Sequence, residues 1–285
     1  MSKKTTEGDA AALAEQVRLA SAGDKAAART VLEAIRDDVY ELSLRMLGHP
    51  ADAEDAAQEI LVIVLTHLSA FRGESALRTW AWRIAANHLK RVRRGRREVI
   101  TFETLDERLR SGLREHPADR PDPEAAALSA ELRLRCTEAM ILSLDRDHRI
   151  AHVLGDIFGL PGEVCAEILE IDPAAFRKRV SRARQRLQEF MGGWCGVFDP
   201  RNPCRCAGQV DAAIDRGLLA PSDLYLTKAR KRPTRDALGR AAEEVGQLAH
   251  LVEVLRGPSR FAAPDSMVQG LRDLIDSQRL EILRH

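Results

Sequence analysis

The chain lacks the features that mark membrane and secreted proteins. It has no run of about 18 apolar residues, so no membrane-spanning helix is predicted. Its first ten residues, MSKKTTEGDA, have no apolar signal core, so we expect a cytoplasmic protein. Lys and Arg number 44 and Asp and Glu 43, so the net charge favours no class of partner. Only the local distribution of charge can indicate a nucleic-acid or protein surface.

Signatures of catalysis are also missing. We find no Ser/His/Asp set, no phosphate-binding P-loop and no paired-carboxylate site in the sequence. The sequence therefore predicts a protein that is not an enzyme and needs no cofactor for catalysis.

Hydrophobic periodicity predicts an all-α fold. A 3.6-residue period recurs over residues 10–97 and 125–190, and no window alternates apolar and polar residues. The run ILVIVL lies in a stretch without Gly or Pro from Ala51 to Arg72, which favours a helix over a strand. The segment 98–124 loses the period and contains REHPADRPDPE, which is typical of an exposed, flexible linker. We expect two small helical domains, 10–97 and 125–190, and a helical C-terminal extension over 191–285.

The first domain contains an acidic helix, DAEDAAQEILVIVLTHL, for which Asp52 is the expected N-cap. Asp52, Asp55 and Glu59 share one face of this helix. Another face carries the apolar residues Ile60, Val64 and Leu68. The acidic face is either a solvated surface over a core helix or a docking surface for a basic protein.

A loop, FRGESALRTW, separates this acidic helix from a basic one. Seven positive charges fall within fifteen residues and no acid lies among them: Arg83, Lys90, Arg91, Arg93, Arg94, Arg96 and Arg97. This density exceeds what a helix dipole requires and favours contact with phosphates. Trp80 and Ile84 are expected to face the core, with Trp82 on a different side. Asn87 is placed to meet a base edge if this helix lies on DNA.

The second domain contains the pattern of a helix-turn-helix. Gly159 ends one helix, PGEVCAEIL forms a short helix and PAAFRKRVSRARQRL forms the next one after the turn EID. Apolar contacts between the two helices are expected from Val164, Ile168, Phe176 and Val180. Six basic residues are expected on the exposed face of the second helix: Arg177, Lys178, Arg179, Arg182, Arg184 and Arg186. The small Ala174 and Ala175 allow this helix to approach the major groove.

These two motif sets, in this order, resemble regions 2 and 4 of bacterial sigma-70-type initiation factors of the extracytoplasmic-function (ECF) group. The resemblance rests on DAEDAAQEILVIVLTHLSAFRGESALRTWAWRIAANHLKRVRRGRR and DIFGLPGEVCAEILEIDPAAFRKRVSRARQRL, and it covers about residues 10–190. It implies a sigma factor that binds core RNA polymerase at the β′ clamp helices and β flap and directs initiation at −10 and −35 promoter elements. It also admits regulation by an anti-sigma factor or by the chain's own extension.

The resemblance assigns functional residues to three sets. Polymerase binding falls to Asp52, Asp55, Gln58 and Glu59. Contacts to the −10 element, where a flipped base enters the loop pocket, fall to Phe71, Arg72, Gly73, Glu74, Ser75, Trp82, Asn87, Lys90, Arg91, Arg93 and Arg94. Contacts to the −35 element fall to Ala174, Ala175, Arg177, Lys178, Arg179, Ser181 and Arg182.

An alternative function is a stand-alone helix-turn-helix regulator that responds to a metal or to redox state. The FRGES loop and the acidic helix separate the two hypotheses, because a regulator of that kind needs neither.

The extension begins with a cysteine-rich segment, GGWCGVFDPRNPCRCAGQV, expected to be a loop or knuckle. Five cysteines are an odd number, and a reducing compartment favours metal or redox use over disulfides. Cys195, Cys204 and Cys206 could ligate Zn²⁺, with His250 or water as the fourth ligand. A packed turn with free thiols is the alternative. Cys136 and Cys165 are expected to be small core residues, and amphipathic helices are expected over 240–255 and 265–283.

Overall fold

The computed structural model describes residues 7–92, 100–113, 123–222, 224 and 261–276. All regular elements of these residues are helices, which confirms the all-α prediction. They run α1 Glu7–Ser21, α2 Lys25–Leu47, α3 Pro50–Thr66, α4 Leu77–Arg91, α5 Phe102–Gly112, α6 Pro123–Leu142, α7 Arg146–His152, α8 Gly162–Leu169, α9 Pro173–Trp194, α10 Val210–Asp215 and α11 Asp265–Asp276. Short 3₁₀ turns follow α3 at Leu68–Ala70 and precede α10 at Ala207–Gln209, and a π-helical turn, Val153–Ile157, follows α7.

Helices α1 to α4 form the first bundle. The Asp24 carboxylate caps α2 by accepting a hydrogen bond from the Ala27 amide at 2.8 Å, and Gly48 ends this helix at a φ of 70°. Helix α3 begins at Pro50 with His49 as its N-cap, so the prediction of Asp52 as the cap was wrong. Proline fixes φ at a helical value and needs no amide partner, which makes it a better first residue. Ile60, Val64 and Leu68 are completely buried, as predicted.

The segment between the two predicted domains contains α5, which the sequence analysis missed. A capping box links Thr101 and Thr104, and Leu105 of this helix is buried against Met140 and Leu187. The description of residues 98–124 as an exposed tether is therefore wrong for Phe102–Gly112. The three prolines of the linker lie outside the described side chains. Local capping and an apolar stripe prevail here over the charged composition.

Helices α6 to α9 contain the helix-turn-helix. Gly159 adopts a φ of 67° before α8, Glu170 adopts a φ of 54° in the turn after it, and the Asp172 carboxylate caps α9 at the Ala174 amide, 2.6 Å away. Ile168, Phe176 and Val180 are buried between the helices, as predicted. Helix α9 continues to Trp194, so Gly192 and Gly193, predicted to lie in the loop, are helical.

The two bundles pack on one continuous apolar core. Gly48 touches α6 so closely that an added Cβ atom would lie 2.1 Å from Leu142 Cδ1. Buried Arg149 of α7 donates hydrogen bonds to the carbonyl oxygens of Leu142 at 2.7 Å and Leu144 at 2.8 Å, and also to that of Met46 at the end of α2. Buried Arg45 of α2 pairs with Glu138 of α6. Glycine and buried, paired charge therefore specify this contact between bundles.

The C-terminal segment adds α11 to the first bundle. Helix α11 lies within the predicted 265–283 helix and confirms it for Asp265–Asp276, while the predicted helix 240–255 lies outside the described residues. In the part of the chain that the structure describes, no helix is long and apolar enough to cross a bilayer.

Candidate nucleic-acid interface

The acidic face of α3 is separate from its buried face. Asp55 and Glu59 are exposed, Asp52 and Gln58 are half-buried, and Ala53, Ala56 and Ala57 are buried with the core. Glu59 lies 3.2 Å from His88 Nε2 of α4. All four residues predicted to bind polymerase thus lie on one side of α3, and Asp55 and Glu59 are the most accessible of them.

The loop after α3 presents a short polar segment. Arg72, Gly73 and Glu74 are exposed and Ser75 is half-buried, whereas Phe71 packs on Trp80 with ring centroids 5.4 Å apart. Gly73 adopts a φ of 73°, which favours glycine at this turn. Phe71 therefore anchors the loop, and the residues after it remain accessible.

The basic helix α4 faces carboxylates of the helix-turn-helix. Arg83 Nη2 lies 2.8 Å from Glu167 Oε1, and Asn87 Nδ2 donates to Glu170 Oε2 at 3.2 Å. Burial lowers the pKa of the half-buried Lys90 from its ordinary value, while Arg91 is exposed. Arg93, Arg94, Arg96 and Arg97 lie outside the described residues. Asn87, predicted to contact the −10 element, and Arg83, predicted to contact phosphates, are therefore both occupied by acidic side chains in this arrangement.

Trp82, which the sequence left open between core packing and DNA contact, is buried. Its side chain is only 6% exposed and its ring lies 5.9 Å from that of Phe158, which precedes α8. Trp80, expected to face the core, is half-buried and packs at the edge of the core. A period of 3.6 distinguishes two sides of α4 but cannot reveal that a residue of the second bundle, Phe158, covers the side that carries Trp82. Contact between Trp82 and DNA would require separation of α4 from α8.

On α9 the predicted DNA-binding residues have a clear path to solvent. Ala174, Arg177, Lys178, Ser181 and Arg182 are exposed, and Ala175 is half-buried next to them. Arg179 is half-buried and lies 3.4 Å from Asp147. The first turns of this helix thus present small and basic side chains together, as the pattern predicted.

Arg184 was predicted on the exposed basic face, but it is only partly exposed and is held by an ion pair. Its guanidinium pairs with buried Asp156, with Nε 3.0 Å from Oδ2, and His152 Nδ1 lies 2.8 Å from the same carboxylate. Burial acts to raise the pKa of Asp156, but hydrogen bonds from His152 and Arg184 outweigh it and hold the pKa below its ordinary value. Arg184 therefore ties α9 to the π-helical turn. The sequence carries no signal that separates Arg184 from its neighbours.

Four of the five cysteines gather at the end of α9. Cys195 and Cys204 form a β-bridge, and Cys136 of α6 lines the same cavity as Cys204 and Cys206. Burial, reinforced by the thiolates of the three others, raises the pKa of Cys136. Cys165 is completely buried within the helix-turn-helix, where burial raises its pKa to about 12. Cys165 is thus the core residue that was predicted, whereas Cys136 adjoins the knuckle. His250 lies outside the described residues.

Helix α11 covers one edge of the acidic helix. Ser266 Oγ donates to Glu54 Oε1 at 2.7 Å, and an added Cβ atom at Gly270 would lie 3.4 Å from Gln58 Nε2. Met267, Leu271 and Ile275 of α11 are buried against α2 and α3. Sequence analysis missed this contact, although the i, i+4, i+8 spacing of these apolar residues indicated a helix face that needs a partner.

Comparison with known proteins agrees with the geometry. The family model "Sigma-70 region 2" matches residues 31–99. The chain is 31% identical over 179 residues to the ECF RNA polymerase sigma-E factor of Haemophilus influenzae, covering 62% of this chain and 92% of that protein. It is 28% identical over 177 residues to the ECF sigma factor SigW of Bacillus subtilis, covering 61% of this chain and 94% of that protein. The chain therefore belongs to the ECF group of RNA polymerase sigma factors.

Two further matches concern the extension and the overall arrangement. Similarity to the ECF sigma factor SigJ of Mycobacterium tuberculosis is 29% over 241 residues, covering 81% of this chain and 75% of that protein. This share of the chain exceeds what residues 1–190 make up, so the similarity reaches further than the predicted limit. A solved RpoE from Bartonella quintana, in complex with the anti-sigma factor NepR, shares 22% identity and covers 56% of this chain and 94% of that one, with a TM-score of 0.40. That score does not establish a similar arrangement of domains.

Proposed function

We propose that this protein binds core RNA polymerase in the cytoplasm and directs it to promoters with −35 and −10 elements. In this proposal α3 docks on the polymerase, the loop after it and α4 take the −10 element, and α9 reads the −35 element. The polymerase forms the phosphodiester bonds, and this chain recognises the promoter and assists the opening of the DNA strands. The observation that carries the proposal is the joint presence of an exposed acidic face on α3 and an exposed basic face on α9.

The acidic face decides between a sigma factor and a stand-alone DNA-binding regulator. Asp55 and Glu59 are exposed although neither is needed for the core, and a regulator that acts alone needs no such face. Charged groups of this kind steer and orient association with a basic partner. Docking through α3 therefore accounts for a surface that the helix-turn-helix by itself leaves unexplained.

Charge reversal on α3 tests the docking. We expect Asp55→Arg with Glu59→Arg to abolish co-purification with core polymerase while circular dichroism remains unchanged, because both side chains are exposed. Glu107→Arg with Glu189→Arg changes the charge equally at exposed sites on α5 and α9 and serves as the matched control. Retention of core polymerase by the α3 variant would contradict the docking assignment.

The arrangement of the described helices further supports self-restraint of the free protein. Glu167 and Glu170 occupy polar groups of α4 that the proposal assigns to promoter DNA, and Trp82 is buried under Phe158. Promoter opening by this chain would then require α4 and α8 to separate. Binding to polymerase can supply the required free energy only if polymerase binds the open form more tightly than the closed one.

Helix α11 extends the same restraint to the docking face. Because it contacts Glu54 and Gln58, polymerase and α11 compete for one edge of α3 in this proposal. A closed population lowers the apparent affinity in proportion to the fraction that remains open. The extension would thus act as an intramolecular inhibitor.

Substitutions on the two faces of α11 test this competition. Met267→Asp with Leu271→Asp places charge on the buried face, and we expect displacement of α11 and tighter binding of core polymerase. Gln269→Asp with Arg272→Asp alters the exposed face and serves as the control. Equal affinities of the two variants and of the unaltered chain, with displacement verified by protease sensitivity, would show that α11 does not compete.

A further inference from the structure

We infer that Cys136, Cys195, Cys204 and Cys206 form one tetrathiolate site for a structural zinc ion, which joins α6 to the knuckle after α9. The three knuckle cysteines were identified from their spacing alone. What the tertiary structure adds is the fourth member, Cys136, which lies about sixty residues earlier in the chain, on a different helix. This site is independent of polymerase and promoter binding.

The backbone of the knuckle brings its cysteines together. The Gly196 amide donates to the Cys204 carbonyl at 3.0 Å and the Cys204 amide to the Trp194 carbonyl at 3.2 Å. Asn202 Nδ2 donates to the carbonyls of Met191 at 3.0 Å and Cys195 at 3.2 Å, which fixes the turn between the two cysteines. A Cβ atom at Gly196 would lie 2.5 Å from the Cys204 carbonyl oxygen, so glycine is required there. The knuckle is thus held in shape by its main chain.

Cys136 enters the same place from α6. It lines a cavity of about 720 Å³ together with Cys204 and Cys206, and it packs with Cys195 on the apolar cluster around Met140 and Leu187. Each thiolate in this desolvated setting would repel the next, and a divalent cation removes that repulsion. Four soft thiolates match the tetrahedral preference of Zn²⁺.

Ligation requires an adjustment of side chains. As they stand, no three Cys, His, Asp or Glu side chains among the described residues meet closely enough to hold a metal ion. Cys136, Cys204 and Cys206 already line one cavity, and the β-bridge holds Cys195 beside Cys204, so the proposal requires the thiols to turn towards a common centre. Zinc would then fix the turn to α6 and, through the same apolar cluster, to α5. Such closed four-cysteine sites stabilise a fold and carry out no chemistry.

Metal content of the full-length protein tests the site. We expect about one zinc per chain by elemental mass spectrometry after purification under reducing conditions. Cys136→Ser and Cys206→Ser should each lose the zinc, because removal of one thiolate opens the site. Cys165→Ser, at a buried cysteine outside the cluster, should retain it. Protein that holds no zinc even after anaerobic incubation with Zn²⁺, protein that holds iron instead, or a Cys136→Ser variant with full zinc content would overturn the inference.

A second measurement uses the unaltered chain, so it tests the zinc site even if the cysteine variants fail to fold. Alkylation followed by peptide mass spectrometry should show the four clustered cysteines protected with zinc and reactive after chelation. Cys165 should remain protected in both states because it is buried. Equal alkylation of the four with and without chelator would exclude the metal. Neither readout uses transcription, so failure of the zinc site and failure of the proposed promoter function are distinguishable.

Discussion

Helices α4 and α9 both carry several basic side chains, but those side chains have different surroundings. On α4, Arg83 and Asn87 meet Glu167 and Glu170 of the opposite bundle. On α9, Arg177, Lys178 and Arg182 face solvent. Under the proposed function, the free protein would present α9, assigned to the −35 element, while α4, assigned to the −10 element, is occupied. A basic run in a sequence therefore identifies a candidate DNA surface without telling whether that surface is available.

The contrast between α4 and α9 is tested most directly by substitutions on the exposed face of α9. We expect Arg177→Ala with Arg182→Ala to weaken −35-dependent initiation by about 1–3 kcal/mol for each side chain that reads a base edge, or about 5- to 150-fold. Initiation rates on promoter libraries with varied −35 and −10 elements provide the measurement. A loss that follows the −10 sequence instead would refute the assignment of α9.

Arg184, on the same helix, should behave in the opposite way. Arg184→Ala removes one partner of the buried Asp156 carboxylate, so we expect the free energy of unfolding to fall by about 1–3 kcal/mol. Arg186→Ala, whose exposed guanidinium lies 3.5 Å from Asp145, should cost no more than about 1 kcal/mol. Urea unfolding of both variants measures this difference. If Arg184→Ala proved fully stable and lost −35 preference, Arg184 would belong to the DNA-reading set.

Neutralising the carboxylates opposite α4 tests whether they restrict the access of DNA to that helix. Glu167→Gln with Glu170→Gln weakens two exposed contacts, each worth about 0.2–1 kcal/mol. We therefore expect binding of the free protein to single-stranded −10 DNA to rise by only a few-fold. Fluorescence anisotropy with labelled DNA measures it, and Glu163→Gln with Glu189→Gln is the matched exposed control. An equal rise in the control would attribute the effect to net charge.

A smaller effect of pH follows from Asp156. Its pKa is held below the ordinary value in the folded protein, so its contribution to stability is complete above the unfolded-state pKa of about 3.9. That contribution is lost as the pH falls through the folded-state pKa. We expect the stability difference between the unaltered chain and Arg184→Ala to narrow as the pH falls below about 4. A difference in urea unfolding that stays constant as the pH is lowered from about 4 would contradict the pairing.

Local pattern determined the elements of this protein. Period, the positions of proline and turn chemistry predicted α3, α4, α8 and α9, and the burial of Ile60, Val64 and Leu68 followed from their spacing. These features depend on neighbours within a few residues, so they can be read along the chain. The family motifs lie in the same local segments, which is why the ECF group was recognisable.

Only the tertiary structure decided which partner each helix face contacts. It buried Trp82 against Phe158, paired Arg184 with Asp156, placed α11 over Glu54 and brought Cys136 to the knuckle. Each of these contacts joins residues of different helices, and the sequence around either partner resembles that of ordinary amphipathic helices. Charge and periodicity fix which sides of a helix are polar or apolar. Which of those sides meets solvent, a carboxylate or another helix depends on how the bundles pack, and that is determined by the whole chain at once.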